Sequence, residues 1–217
     1  MNATILQIKE RPILFSGPMV RAILDGRKTQ TRRIVKTDLR PQSKDTVMRG
    51  FPPEPKNVRM LFCYAKCDAP DGSRSVSYRV PCPYGLLGDQ LWVKETTSEP
   101  GGTVHYRADL NVDHSEVFHW APSIFCRRDL SRINLEITMV RVERLNDISE
   151  EDARAEGVSM PDSVVLDDSV HGSRAWVEAY RDTLWESING AGSWELNPWV
   201  WVIKFRRVTT CARPTEN

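Results

Sequence analysis

The longest regular pattern of hydrophobic and polar positions lies between residues 133 and 145. Every second residue from Ile133 to Met139 is apolar, which is typical of a β-strand with one buried face. The pattern changes phase near Val140, and an extra residue in one strand produces such a change. We therefore predict one long strand here, with a β-bulge that curves it.

Shorter segments with related patterns predict further strands. They cover residues 12–15, 58–64, 75–80, 90–96, 104–107 and 198–205. Segments 58–64 and 75–80 flank an Asp-Gly pair, so they are predicted to form a hairpin. The last segment is almost entirely apolar and is predicted to be a buried strand.

Three segments have the spacing of helices. Residues 18–24 place apolar side chains three and four positions apart, and Gly26 follows where a helix end favours positive φ. An acidic helix is predicted after Ser149, its N-cap, and ends at Glu156. Residues 173–187 form the third helix, with aromatic and aliphatic side chains on one face.

A strongly basic segment follows the first helix. Residues 27–33 include four cations and two threonines, with hardly an apolar group among them, and we expect the segment to lie outside the core. Lys28 and Thr31 would then emerge just after a helix end, and their spacing alone favours a solvent-exposed loop. A second basic group consists of Arg127, Arg128 and Arg132.

These basic groups are local, because the chain as a whole is nearly neutral. It contains 30 Lys and Arg residues and 29 Asp and Glu residues, which gives a net charge of +1. Contact with a polyanionic partner must therefore depend on local clusters. The length of 217 residues and the 40% hydrophobic content are ordinary for one globular domain. The sequence has neither a run of about 18 apolar residues nor a signal-peptide pattern, so a cytoplasmic protein without a membrane partner is predicted.

The five cysteines do not predict a metal centre. Cys63 and Cys67 form a Cys-x-x-x-Cys pair and Cys82 follows, but no fourth ligand has a convincing spacing. We predict reduced thiols, no metal and no cofactor.

Residues 26–33 fit the pattern G-x-K-x-x-T-x-R. Through this pattern the chain resembles proteins with an ASCH domain, a branch of the PUA-like superfamily of small β-barrel folds linked to RNA. Segments 88–93, 145–156 and 202–205 are also similar to the family, in the expected order. With its opening at 12–19, the chain looks like the longer ASCH proteins that phages and prophages often carry.

The resemblance implies an α+β fold, namely a PUA-like mixed β-barrel with short flanking helices, inserted loops and a hairpin. It implies a single domain over residues 1–208. Compact members lack two segments present here, so insertions are expected at about 37–87 and 97–131. Residues 209–217 are expected to form a flexible tail.

Compact ASCH enzymes that hydrolyse N(4)-acetylcytidine use a lysine, a threonine and a glutamate, and the matching positions here are Lys28, Thr31 and Glu156. A threonine attacks an amide once a base removes its proton, and a lysine is such a base only when desolvation or nearby cations lower its pKa. Glu156 would protonate the departing amine. Arg33 would hold the oxyanion or orient Glu156.

Five further positions are predicted to bind the substrate: Gly26, Arg27, Arg33, Trp92 and Glu95. Glu95 shares a face of its strand with apolar Leu91 and Val93, and a buried carboxylate needs a cationic partner. The basic segment could supply one, and a solvated glutamate at a strand end is the alternative. Whether Glu95 or Glu156 is the working carboxylate stays open.

We therefore expect an ASCH-domain protein that binds RNA, single-stranded nucleic acid or a modified nucleoside in a basic cleft lined by Lys28, Thr31, Glu95 and Glu156. Hydrolysis of an N-acyl cytidine amide is one hypothesis. The alternative is a non-catalytic RNA-binding accessory module of phage or prophage origin, in which Lys28 and Arg33 grip phosphate. A ribonuclease is not supported, because no two histidines have a suggestive spacing. The sequence leaves the oligomeric state open.

Overall fold

The computed structural model describes residues 8–36, 47–50, 60–67, 74–110, 118–159 and 174–208. The strands are β1 (Glu10–Leu14), β2 (Gln30–Ile34), β3 (Val47–Gly50), β4 (Met60–Cys67), β5 (Arg74–Pro81), β6 (Gln90–Lys94), β7 (Thr97–Ser98), β8 (His105–Tyr106), β9 (Asn134–Arg144) and β10 (Trp199–Val208). The helices are α1 (Gly17–Leu24), α2 (Glu150–Ala155), α3 (Ala175–Ala179) and α4 (Glu186–Asn189), with a π-helical stretch, Tyr180–Trp185, between α3 and α4. Short 3-10 turns lie at Pro100–Gly102, Arg107–Asp109, Ser123–Phe125, Arg128–Leu130 and Leu145–Asp147.

The main sheet is mixed and has five strands in the order β1-β6-β9-β10-β2. Strand β1 is parallel to β6, and the other neighbours are antiparallel. The predicted α+β class is confirmed. The sheet is not closed into a barrel, since within the described residues β1 and β2 are unpaired edges. The two edges approach each other through a side chain instead: Nη2 of Arg33 donates a hydrogen bond to the carbonyl oxygen of Leu14 at 2.7 Å.

The long strand predicted between residues 133 and 145 is confirmed as β9. Its pairing with β10 changes register between Met139, opposite Lys204, and Ile137, opposite Phe205. Thr138 is therefore the extra residue, and the predicted bulge lies two positions before Val140. The shift lets an eleven-residue strand bend while it stays paired with β10.

The other predicted elements largely agree with the structure. Strands β4 and β5 are antiparallel, as the hairpin prediction required, and they form a second sheet with β3, which the sequence pattern did not predict. The turn at 68–73 and the tail at 209–217 lie outside the described residues. Buried and half-buried positions alternate along β6. The predicted helix at 173–187 is present, with the π-helical stretch in its middle.

Strand β10 is buried on both faces from Val200 to Ile203. Trp201 and Ile203 belong to the larger apolar cluster, with β1, β6, β9 and α1. Val200 and Val202 point to the opposite face and join a second cluster that contains Tyr180 and Leu145. Because successive side chains alternate between faces, a strand segment between two apolar layers is expected to be apolar throughout, as residues 199–203 are. Within the described residues, no helix is long and apolar enough to cross a bilayer.

Helix α2 ends against the link between α1 and β2. Ser149 caps its start, as predicted, by accepting a hydrogen bond from the Asp152 backbone N–H at 3.2 Å. Gly157 follows its end with a φ of +82°, and a Cβ atom there would lie 2.7 Å from Cβ of Lys28 and 2.9 Å from Cβ of Ala22. Gly157 thus supplies both a left-handed backbone and a close approach.

Replacing Gly157 with alanine should lower the free energy of unfolding by about 2–5 kcal/mol. About 1–2 kcal/mol comes from the left-handed backbone, and about 1–3 kcal/mol comes from the overpacked contact with Lys28 and Ala22. Urea denaturation measures the change.

Gly192→Ala is the matched control, because Gly192 has a φ of +76° and nothing within 4 Å of a Cβ atom. Its free energy of unfolding should decrease only by the contribution of the left-handed backbone. Equal losses in the two variants would show that the close approach at Gly157 does not contribute.

Candidate functional site

Most of the basic segment after α1 lies in the interior, and the prediction that the whole segment lies outside the core is wrong. Lys28 and Thr31 are each 2% exposed, Arg32 is 4% exposed and Gln30 is fully buried. The segment is buried because β2 pairs with β10 along its length. Carboxylates from β9 and α2 neutralise the charges of Lys28 and Arg32.

Lys28 and Glu156 form a buried ion pair. Nζ of Lys28 lies 2.9 Å from Oε2 of Glu156 and also donates to the Glu156 carbonyl oxygen at 2.8 Å. The two side chains are 0% and 2% exposed. Their backbones also form an antiparallel bridge. The structure thus brings together two of the predicted catalytic residues, although 128 positions separate them in sequence.

Arg32 holds the other oxygen of the same carboxylate. Its Nη1 donates to Oε1 of Glu156 at 3.1 Å, and its Nη2 contacts Glu143 and Asp152. The Arg32 side chain is fully buried. Glu156 therefore has a cation on each oxygen, which fixes the orientation of the carboxylate. The signature assigns a role to the neighbouring Arg33 and none to Arg32, so the sequence analysis missed this contact.

A wider charge network surrounds Arg32. Asp152 also accepts a hydrogen bond from Arg141 and lies 3.4 Å from Nζ of Lys204. Arg141 donates to Glu143 at 2.8 Å as well. The network therefore ties β2, β9, β10 and α2 together, and it compensates charges that burial would otherwise make very costly.

Burial lowers the pKa of Lys28 below its ordinary value. Desolvation is the largest cause; Glu156 opposes the shift by favouring the charged amine, whereas Arg33 and Arg32 add to it. The sequence analysis required a lysine of this kind for a base. The same physical causes that it named, desolvation and neighbouring cations, act at this position.

Thr31 faces a cavity of about 420 Å³ beside the ion pair. The cavity lies between the edge strands β1 and β2 and the π-helical stretch. Its polar and charged lining residues are Thr31, Arg32, Arg33, Lys36, Tyr84, Lys94, Glu156, Tyr180 and Asn189. Its apolar lining residues are Pro12, Ile13, Leu14, Met19, Ile34, Leu184, Trp185 and Ile188. Within the described residues, no other side chain is hydrogen-bonded to the Thr31 hydroxyl.

Tyr180 forms part of the cavity wall near Glu156. Burial and the negative charge of Glu156 raise the pKa of Tyr180 well above its ordinary value. The phenol therefore stays neutral at physiological pH. On the sequence it was assigned only to the apolar face of a helix, and its proximity to Glu156 depends on how that helix packs.

Arg33 is on the same face of β2 as Thr31 and also lines the cavity. Its guanidinium group lies 5.3 Å from the centre of the Phe15 ring, which is within cation–π range. Together with the hydrogen bond to Leu14, this contact holds Arg33 between the two edge strands.

Three other predicted substrate-binding residues lie outside the cavity lining. Gly26 has the predicted positive φ, +75°. Arg27 is exposed and donates to the carbonyl oxygen of Gly157 at 3.1 Å and to Asp25 at 3.0 Å. Trp92 is partly buried, with the Lys94 ammonium 5.7 Å from its ring centre.

Glu95 does not share the site of Lys28, Thr31 and Glu156. It is buried as its strand face predicted, at 2% exposure. Its partner is Arg132, with contacts of 3.0 and 2.9 Å, and not a cation of the basic segment as the sequence analysis expected. Arg132 also binds Asp109 with two contacts of 2.7 Å and lies 3.8 Å from the Tyr106 ring centre. The predicted four-residue cleft lining is therefore corrected, because Arg132 engages both carboxylate oxygens of Glu95 beside a different turn.

Cys82 is buried, and the side chains of Cys63 and Cys67 lie outside the described part of the structure. In the described residues, no three His, Cys, Asp or Glu side chains are grouped as metal ligands would be.

Comparisons of the chain with protein-family models, with curated proteins and with solved structures found no match. Functional inference therefore depends on the geometry of the site and on the resemblance of the basic segment.

The buried pair should show strong energetic coupling. Glu156→Gln leaves Lys28 without its carboxylate and should lower the free energy of unfolding by about 3–5 kcal/mol. Lys28→Met combined with Glu156→Gln removes both charges. The decrease in the free energy of unfolding should therefore be smaller in the double variant, by about 1–3 kcal/mol, than the sum of the decreases in the two single variants. Urea denaturation of the four proteins measures this coupling.

The exposed pair Arg206–Glu136, at 2.7 Å, provides a control cycle with the changes Arg206→Met and Glu136→Gln. Its coupling should stay below about 1 kcal/mol because solvent screens it. Additive losses at Lys28 and Glu156 would contradict a strongly coupled buried pair.

The lowered pKa of Lys28 also predicts a pH dependence. The unfolded chain holds the Lys28 proton more tightly than the folded protein does, so the free energy of unfolding rises with pH between the lowered pKa and the ordinary lysine value. Lys28→Met lacks this contribution. The stability of the wild type relative to Lys28→Met should therefore increase from neutral to alkaline pH, as urea denaturation across that range would show. A difference that stays constant would refute the direction of the shift.

Proposed function

We propose that the chain is an ASCH-type protein of the PUA-like superfamily whose cavity accepts an N-acylated cytidine and whose Thr31, Lys28 and Glu156 hydrolyse the amide. The observation that carries the proposal is the convergence of three residues from the signature and from the end of α2. Lys28 and Glu156 are in direct contact, and Thr31 and Glu156 line one cavity.

The proposed reaction has two stages. The Thr31 hydroxyl gives its proton to the neutral amine of Lys28, and its oxygen attacks the acyl carbon. The bond from that carbon to N4 of cytosine then breaks, N4 takes a proton from the carboxylic acid of Glu156, and an acyl ester remains on Thr31. Water hydrolyses this ester, which releases the carboxylic acid and restores the threonine.

Two features of the site support these roles. The lowered pKa of Lys28 makes its neutral amine more accessible, and the proton that Lys28 must first lose has an acceptor 2.9 Å away, Oε2 of Glu156. Transfer along that contact produces a neutral base and a protonated acid in one step.

A non-catalytic RNA-binding module is the second candidate function, and one observation favours it. The Lys28 ammonium is engaged by Glu156 on two oxygens, and Lys28 is absent from the residues that line the cavity. In this alternative, Lys28 and Glu156 are structural, and Arg33 contacts the phosphate backbone of an RNA.

Hydrolysis of N(4)-acetylcytidine by the purified protein tests the proposal. Thr31→Val should lower kcat/KM at least about a hundredfold because the nucleophile is lost. Glu156→Gln should have a similar effect. Thr29→Val is the matched control: the same change two residues earlier, at an exposed side chain, should leave turnover within about twofold, as expected for a surface substitution.

Circular dichroism of each variant separates lost chemistry from lost folding. Turnover that survives Thr31→Val would refute the catalytic assignment. Absence of turnover in the wild type, together with salt-dependent RNA binding that Arg33→Gln weakens, would support the binding module instead.

A further inference from the structure

The charges that line the cavity are unbalanced. Four cations contribute to the lining, Arg32, Arg33, Lys36 and Lys94, and Glu156 is the single carboxylate among the lining residues of the described chain. Arg32 and Glu156 are bound to each other, and further partners surround both. The net positive charge therefore resides on the other three cations.

None of these three cations has a carboxylate partner within the described residues. Arg33 donates to the backbone carbonyl of Leu14, and Lys94 donates to the backbone carbonyl of Ile124. Lys36 is exposed at the end of the segment that contains β2. Three cations that lack a carboxylate partner among the described residues therefore line one cavity.

We infer that the cavity binds a nucleoside that carries a phosphoryl group, and that Lys36, Lys94 and Arg33 are the phosphate-binding residues. This inference depends on the proposed function only in taking the cavity as the nucleoside site. Lys94 lies beside β1, since it is paired with Leu14, whereas Lys36 and Arg33 belong to the β2 segment. The cations therefore approach the ligand from both edges of the sheet.

The chemistry of the lining divides the ligand into two parts. Apolar and aromatic groups, including Leu184 and Trp185, can cover a base or sugar. A neutral nucleoside carries no charge to balance the three cations, whereas a phosphate supplies the negative charge that the side chains of the described residues do not. Arginine binds phosphate oxygens with a planar fork, and lysine acts as a point charge.

Two sources can supply this chemistry, a free nucleotide and a nucleotide unit of an RNA chain. Isothermal titration calorimetry distinguishes them. The full chain is titrated with cytidine, with cytidine 5′-monophosphate and with a cytidine tetranucleotide. We expect a phosphorylated ligand to bind about ten- to a hundredfold more tightly than cytidine, as charge-assisted hydrogen bonds predict, with a gain that decreases as salt is added.

The gain should fall in Lys36→Gln and fall further in Lys36→Gln with Lys94→Gln, in which Arg33 is the remaining phosphate-binding cation. The first of these variants changes an exposed side chain and should fold normally. Lys9→Gln is the control, because Lys9 is an exposed lysine outside the cavity lining and should keep the gain.

A gain with the monophosphate identifies a free nucleotide as the ligand, and a gain with the tetranucleotide alone identifies an RNA chain. Equal binding of all three ligands, no binding of any, or a gain that is undiminished in the double variant would overturn the inference. All three ligands lack an acyl group, so these outcomes are independent of turnover. A phosphate preference without hydrolysis would reject the proposed reaction alone, and hydrolysis of N(4)-acetylcytidine without a phosphate preference would reject this inference alone.

Discussion

The rest of the structure depends on one buried charge cluster, in which Lys28 and Arg32 both contact the carboxylate of Glu156. Each of these charges alone would be strongly disfavoured in the interior. Together they form a set in which both oxygens of Glu156 are occupied, and this set joins the end of α2 to the start of β2. The set lies where β2, the chain at Gly157 and the wall of the cavity meet.

Local signals in the sequence were sufficient for much of the fold. Alternation predicted β9 and its bulge, and the Ser149 cap predicted the start of α2, because such patterns depend on residues that are near one another in the chain. Burial of the basic segment could not be predicted in this way. Its partners, Glu143 and Asp152, are more than one hundred residues away, and a charged segment looks exposed until those partners are known.

Glu95 shows the same limit of prediction from local sequence, for a residue whose burial was predicted and whose partner was not. Its burial followed correctly from the face of β6 that it shares with Leu91, but its partner did not follow. Face and periodicity are properties of one strand, whereas the choice between Arg132 and a cation of the basic segment depends on how distant turns pack. Convergence of Lys28 and Glu156 was a prediction only through the family resemblance, since no spacing rule joins a helix end to a segment so far before it.

The edge strands β1 and β2 border the cavity without a backbone ladder between them in the described chain. A closed barrel could widen at this point only by breaking several backbone hydrogen bonds. Here the Arg33 guanidinium bridges the gap between β1 and β2 by its hydrogen bond to the Leu14 carbonyl. The sheet is therefore easier to deform at this gap than along its paired strands. The width of the cavity can change when the Arg33 side chain changes its rotamer, and every strand pairing of the sheet is then retained.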